Sequence, residues 1–191
     1  KQIVQTGASH VVSALHQIPV GEVWPAQEII DRKKTIEQSG LHWSVVESVP
    51  VHEDIKKRSG DYKKFTETYK QTLQNLGKEG VRTVCYNFMP ALDWSRTNLT
   101  LTHADGSTSS GFNYLHFAAL DLFLIKRPHA DLSYTEEICK EAENLFAGLS
   151  SEKRKELEET FLLGFPGSGE AFSLKEVLQR IEGYKDLRKS D

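Results

Sequence analysis

The stretch Val11–Pro19 reads VVSALHQIP, and two later stretches end in the same way: Ser44–Pro50 reads SVVESVP, and Thr83–Pro90 reads TVCYNFMP. Each begins with a short run rich in β-branched residues, continues with a polar residue and reaches a proline three positions after it. Because proline cannot donate a hydrogen bond to a sheet, it marks the place where strand pairing ends. The pattern therefore predicts three strands of one repeated βα unit.

The polar residue in each ending is a candidate ligand-binding residue. These residues are His16, Glu47 and Asn87. In an α/β sheet the carboxyl ends of the strands form the edge at which ligands bind. An imidazole, a carboxylate and an amide at that edge suit a polyhydroxylated substrate. The alternative interpretation is that each side chain merely caps a strand end or binds a loop amide.

Helical patterns separate the predicted strands. Val23–Ser39 and Asp61–Glu79 each carry an apolar stripe with helical spacing, and the glycines at positions 40 and 80 end them. Such alternation of strand and helix predicts parallel strands with right-handed crossovers, and we interpret it as part of an α/β barrel. Three parallel strands cannot close a barrel, so we expect the sheet to need further partners from outside these residues.

The second half of the chain departs from this rhythm. Leu99–Ser109 alternates around Asp105-Gly106 and predicts a β-hairpin. Four helices are predicted after it: an apolar one at Asn113–Lys126, one opened by the capping-box sequence Ser133–Glu136, a charged one from Ser151 to about Leu163, and a last one capped by Ser173–Glu176. We therefore divide the chain into the βα units of residues 1–97 and a hairpin with a long helical insertion, residues 98–191, in the same domain.

Composition excludes several classes of function. The 191 residues carry a net charge of −3 with interleaved signs, which does not indicate nucleic-acid binding. No apolar run approaches the roughly 20 residues that span a bilayer. The two cysteines, Cys85 and Cys139, suit a reducing cytosol, and Cys85 is expected to be a small core residue. Because the chain starts at Lys1 without a methionine, we expect residues to precede it.

Further candidates follow the second and third strands. Asp93, Trp94 and Arg96 come after the third strand, where tryptophan would form an apolar wall or simply pack, and arginine would bind a substrate carboxylate bidentately. His52–Asp54 follows the second strand and suits either the same site or the acidic first turn of a helix. The residues alone indicate no metal site, nucleophile elbow or catalytic residue.

The amino-acid sequences of several segments resemble those of mannonate dehydratases. The resemblance lies in Gly7–Trp24, Trp43–Lys56, Arg82–Pro90, Leu92–Thr97, Leu124–Pro128 and Tyr134–Glu137. It implies a (β/α)₈ barrel of the sugar-isomerase type and a cytoplasmic homodimer of glucuronate breakdown. The implied enzyme is a hydro-lyase that converts D-mannonate into 2-dehydro-3-deoxy-D-gluconate and water, with Mn²⁺ or Fe²⁺ as cofactor. The metal would stabilise the charge that develops when a proton leaves the carbon beside the carboxylate.

The resemblance also implies which parts of the enzyme this chain carries. The family's metal ligands, two His, one Cys and one Asp, would lie beyond Asp191, and its first barrel strand would precede Lys1. Residues 1–191 would then supply the substrate-side wall, consisting of His16, Glu47, Asn87, Asp93, Trp94 and Arg96. The insertion would cover the mouth of the barrel or form a subunit contact, and the 191 residues alone would be inactive.

Two other functions remain open at this stage. A related barrel isomerase or epimerase would share the fold and the metal without removing water. A non-catalytic module that binds a sugar acid or supports assembly would use the helical half as an interaction surface.

Overall fold

The structure is a computed structural model that describes residues 2–91, 95–163 and 172–187. These residues form two compact units, one that extends to Met89 and includes Leu187, and one between Pro90 and Asp186. Within the described residues, no helix is both long and apolar enough to cross a membrane.

The first unit alternates helices and strands, as the sequence predicts. Its elements are α1 (Gln2–Gln5), β1 (His10–Ser13), α2 (Ala26–Glu37), β2 (His42–Glu47), α3 (Glu53–Lys57), α4 (Tyr62–Lys78) and β3 (Thr83–Cys85). The three strands form one parallel sheet in the order β1-β2-β3, so β2 is central. The predicted parallel α/β arrangement is therefore confirmed.

One face of this sheet is covered by the helices. Val46 is fully buried there and belongs to one hydrophobic cluster with Trp24, Ile29 of α2 and Leu76 of α4. The buried Thr72 hydroxyl accepts a hydrogen bond from the backbone N–H of Trp24 at 3.0 Å. On the same helix, Asn75 donates to the Trp24 carbonyl at 2.9 Å, so α4 satisfies both backbone groups of this residue at the entry to α2.

The opposite face of the sheet is open. The register aligns Val12 with Val45 and Val45 with Thr83, and Val12 is 55% exposed on this face. Cys85, which the sequence analysis expects in the core, is exposed as well. Among the described residues the expectation is therefore not met, because alternation places Cys85 on the face that the helices leave uncovered.

The second unit contains the predicted hairpin and the predicted helices. Its elements are β4 (Asn98–Thr102), β5 (Thr108–Gly111), α5 (Tyr114–Ala119), a π-helical segment (Leu120–Ile125), a 3₁₀ helix (Ala130–Ser133), α6 (Glu136–Gly148), α7 (Ser151–Leu162) and α8 (Leu174–Glu182). The two strands pair antiparallel. The capping box at Ser173 and Glu176 is present, whereas α6 is capped by Thr135 rather than by Ser133, which ends the preceding 3₁₀ helix.

A buried ion pair organises the second unit. Asp121 is 3% exposed and accepts from Nε and Nη2 of Arg127 at 3.0 and 2.7 Å, respectively, and from the Tyr134 hydroxyl at 2.9 Å. The hydrogen bonds to Asp121 raise the pKa of Arg127. Burial, followed by the hydrogen bond to Asp121, raises the pKa of the Tyr134 phenol above its usual value. The cluster connects the π-helical segment to the loop before α6.

Candidate functional site

The carboxyl ends of the three parallel strands meet at one edge of the sheet. Glu47 is the last residue of β2 and aligns with Cys85. Because Ser13 aligns with Val46, the register places His16 and Asn87 each two residues beyond the level of Glu47, on the two flanking strands. The polar residue therefore follows the strand end at a different distance in each repeat, but all three residues occur at the same edge.

Asn87 is hydrogen-bonded to Ser48, the residue that directly follows Glu47 in the chain. The Asn87 amide nitrogen donates to Ser48 Oγ at 3.4 Å, and Ser48 is only 6% exposed. Glu47 and Asn87 are themselves partly buried. Glu47 follows the core residue Val46, so alternation places its carboxylate on the open face of the sheet.

The carboxylate of Glu47 forms no hydrogen bond or ion pair with any residue that the structure describes. A partly buried carboxylate without a partner is costly unless a ligand, water or a further part of the protein satisfies it. In the same region, the Asn87 amide oxygen accepts no hydrogen bond from the described residues. The edge therefore offers two hydrogen-bond acceptors to a ligand.

His16 lies in a tight turn directly after the buried Leu15. The Ile18 N–H donates to the Leu15 carbonyl at 3.1 Å, which makes His16 and Gln17 the central residues of the turn. Gln17 also donates to Glu28 at 3.3 Å, which connects the turn to α2. The imidazole of His16 is exposed. The turn thus holds an exposed imidazole just past the carboxyl end of β1.

The loops that follow β1 and β2 pack against Phe65 of α4. Gly21 has φ +90°, and a Cβ atom there would lie 2.8 Å from the ring of Phe65 and 3.0 Å from the ring of His52. These two rings stack with centroids 3.6 Å apart. Nδ1 of His52 accepts from the Asp54 N–H and caps α3. The His52–Asp54 segment thus forms the start of a helix, which was one of the two alternatives.

The remaining candidates are the three residues that follow the third strand. Asp93 and Trp94 lie outside the described residues. Arg96 belongs to the second unit, where its Nη2 donates to the Leu163 carbonyl at 3.4 Å. Across residues 2–91, 95–163 and 172–187, no group of three or more His, Cys, Asp or Glu side chains is arranged to hold a metal ion.

Sequence reasoning missed Ser48. It directly follows Glu47, so strand alternation assigns it to the opposite face, and the sequence alone gives no reason to place its hydroxyl near Asn87. The only available signal was the polar pair Glu47-Ser48 before Pro50.

The comparisons with known proteins agree on one family. The family model described as D-mannonate dehydratase (UxuA) matches residues 1–191. The chain is 46% identical to a mannonate dehydratase of Marinomonas over 98% of this chain and 48% of that protein. It is 41% identical to one of Saccharophagus degradans over 98% of this chain and 47% of that protein. It therefore spans about half the length of the curated relatives it matches.

A solved structure gives the same result for the fold. The crystal structure of mannonate dehydratase from Streptococcus suis serotype2 resembles this chain with a TM-score of 0.54 and 34% sequence identity. The similarity covers 91% of this chain and 43% of that one. Because the family model matches every residue and the relatives align along nearly the whole chain, this chain belongs to the D-mannonate dehydratase (UxuA) family.

Proposed function

We propose that the protein carrying this chain is a mannonate dehydratase, a hydro-lyase that converts D-mannonate into 2-dehydro-3-deoxy-D-gluconate and water. The observation that carries the proposal is the family match over residues 1–191, with identities of 41–46% to curated mannonate dehydratases. Acceptor groups at the carboxyl edge of a parallel sheet support it, since this is where α/β enzymes bind their substrates.

We propose further that the three parallel strands form part of a (β/α)₈ barrel of the sugar-isomerase type. The open face at Val12, Thr83 and Cys85 supports this, because the interior of such a barrel is filled by side chains from all of its strands. Residues 1–97 would provide βα units of the barrel, and residues 98–191 would form a hairpin and helical insertion of the same domain.

In the proposed enzyme this chain supplies groups that bind and orient the sugar acid. His16, Glu47 and Asn87 would bind its hydroxyl groups at the barrel mouth, and Asp93, Trp94 and Arg96 remain candidates for the same wall. The reaction removes a proton from the carbon beside the carboxylate and expels the hydroxyl of the next carbon. Holding the hydroxyl-bearing chain in one conformation aligns these two bonds, and such positioning contributes substantially to catalysis.

The resemblance implies Mn²⁺ or Fe²⁺, but the described residues do not fit a metal site, because no suitable group of His, Cys, Asp or Glu is present among them. Following the family resemblance, we propose that the metal ligands lie elsewhere in the full-length protein, and we derive no step through the metal. The family match also supports a homodimeric enzyme of glucuronate breakdown in the cytoplasm.

The test is to incubate the full-length protein with Mn²⁺ or Fe²⁺ and D-mannonate and to measure the 2-keto product and its mass. The proposal predicts a product lighter by one water. An isomerase would give a product of unchanged mass, and a 2-keto signal at background with either metal would refute any dehydratase activity. The 191 residues alone are expected to be inactive.

Variants of the edge residues test the assignment of the site. Replacing Glu47 by Gln removes a charged acceptor and should lower kcat/KM about 10- to 100-fold, the effect of losing a hydrogen bond to a charged group. Glu67→Gln is the matched control, since the side chain of Glu67 is 72% exposed on α4 and, among the described residues, pairs only with Lys70. Equal activity of the two variants would remove Glu47 from the site.

A further inference from the structure

The orientation of the Asn87 amide determines what the edge can bind. Its nitrogen donates to Ser48 Oγ at 3.4 Å. Because the amide nitrogen and oxygen project from the same carbon in different directions, the oxygen is turned away from Ser48. That oxygen accepts no hydrogen bond from the described residues. Ser48 thus orients the amide so that its acceptor is left for another donor.

The neighbouring Glu47 presents acceptors as well. An ionised carboxylate can only accept hydrogen bonds, and none of the described residues donates to this one. The aligned pair Glu47 and Cys85 places Asn87 two residues further along the adjacent strand. Glu47 and Asn87 thus bring hydrogen-bond acceptors to the same edge of the sheet from neighbouring strands, an arrangement that favours hydroxyl donors over a carboxylate.

We propose that Ser48 is a positioning residue that makes this pair specific for substrate hydroxyl groups. The pair binds the polyol part of the sugar acid, and the carboxylate of the substrate is bound elsewhere. Without the Ser48 hydroxyl the amide nitrogen loses its acceptor among the described residues, so the nitrogen and oxygen can exchange places. The inference rests on the proposed function, because it takes a sugar acid as the ligand.

The test measures the dissociation constants of D-mannonate and of its 4-, 5- and 6-deoxy analogues, for the full-length protein and for its Ser48→Ala variant. The proposal predicts that Ser48→Ala weakens D-mannonate binding about two- to tenfold, the usual net effect of one hydrogen bond. For at least one deoxy analogue, Ser48→Ala should not weaken binding, because that analogue lacks the hydroxyl group that donates a hydrogen bond to Asn87. A purely structural role would weaken all four ligands equally.

Ser13→Ala is the matched control. Ser13 is partly buried on the adjacent strand, and its hydroxyl also accepts a single 3.4 Å hydrogen bond, from Arg32. This variant should show no dependence on any deoxy position. Equal weakening of all ligands by Ser48→Ala, or no weakening at all, overturns the inference.

The outcome is distinguishable from failure of the proposed function. Formation of the 2-keto product by the unmodified protein, together with equal effects on all ligands, refutes only the role of Ser48. A protein that binds D-mannonate with the expected dependence on one hydroxyl but forms no product retains the subsite and loses the proposed activity. Absence of binding to D-mannonate refutes both.

Discussion

Replacing Gly21 by alanine tests how the loops that follow β1 and β2 are held together. Gly21 has φ +90°, a region that residues with a side chain rarely adopt. A Cβ atom at this position would lie 2.8 Å from Cε1 and 2.9 Å from Cδ1 of Phe65, and 3.0 Å from Cδ2 of His52. Because these rings stack on each other with centroids 3.6 Å apart, neither can move away without disturbing the other.

Two costs add to the expected destabilisation. The left-handed backbone conformation costs about 1–2 kcal/mol for a residue with a Cβ atom. Forcing an extra methyl group against packed rings costs a further ~1–3 kcal/mol. We therefore expect Gly21→Ala to lower the free energy of unfolding by about 2–5 kcal/mol. This is a large fraction of the stability of a typical domain.

The assay is urea denaturation of the full chain followed by circular dichroism, with Gly77→Ala as the control. Gly77 lies within α4, and apart from its chain neighbours and the backbone of its own helix, a Cβ atom there would meet no described atom within 4 Å. Gly77→Ala should stabilise the protein by about 0.5–1 kcal/mol, since alanine is the better helix former. Opposite signs for these two Gly→Ala changes would support the packing argument.

A double-mutant cycle separates the two costs at Gly21. In a Phe65→Ala background the steric cost should disappear, so Gly21→Ala should then cost only the ~1–2 kcal/mol of its backbone conformation. If Gly21→Ala costs the same with and without the Phe65 ring, the close contact does not contribute. A cost below about 0.5 kcal/mol in the unmodified protein, the usual size of a neutral surface change, would refute the reasoning altogether.

Three further predictions concern buried polar groups. Thr72→Val should destabilise by about 1–3 kcal/mol, because the N–H of Trp24 loses its acceptor, whereas Thr72→Ser should retain most of the stability in the same urea assay. Asp121→Asn should lower the free energy of unfolding by about 1.5–3 kcal/mol, because Arg127 loses a charged partner but still contacts water. Thermal unfolding at low and high salt measures this loss. Because the pKa of Tyr134 is raised in the folded protein, its protonated phenol contributes to the free energy of unfolding. This contribution is complete below about pH 10, where the unfolded phenol is still protonated, and is lost as the pH rises through the folded pKa. Between about pH 9 and 11.5, the free energy of unfolding should therefore decrease less steeply with pH for Tyr134→Phe than for the unmodified protein.

Much of the fold could be predicted because it depends on local patterns. The β-branched runs before each proline locate β1, β2 and β3 to within a few residues, and the apolar stripes locate α2 and α4. The hairpin at Asp105-Gly106 and the capping box at Ser173 are likewise local signals with known backbone consequences.

The unpredicted features depend on contacts between distant residues. Cys85 is exposed because nothing among the described residues covers its face of the sheet, and strand sequence alone cannot show which face is covered. The bond between Asn87 and Ser48 joins residues 39 positions apart, and strand alternation assigns Ser48 to the face opposite Glu47. The choice of Thr135 over Ser133 as the cap of α6 follows from the 3₁₀ helix that ends at Ser133.

The direction in which Glu47 points is determined by its apolar neighbour. Val46 is fully buried against the helices, and burying such a side chain contributes about 1.5–3 kcal/mol. A shift of β2 by one residue would expose Val46 and move the carboxylate of Glu47 into the helix-covered core, where it would cost several kcal/mol more without a partner. The packing of the core thus keeps the unpartnered carboxylate on the open face. Glu47 itself contributes little to stability, but its position is fixed by the fully buried Val46 next to it. A binding site needs such support from a rigid element of the fold.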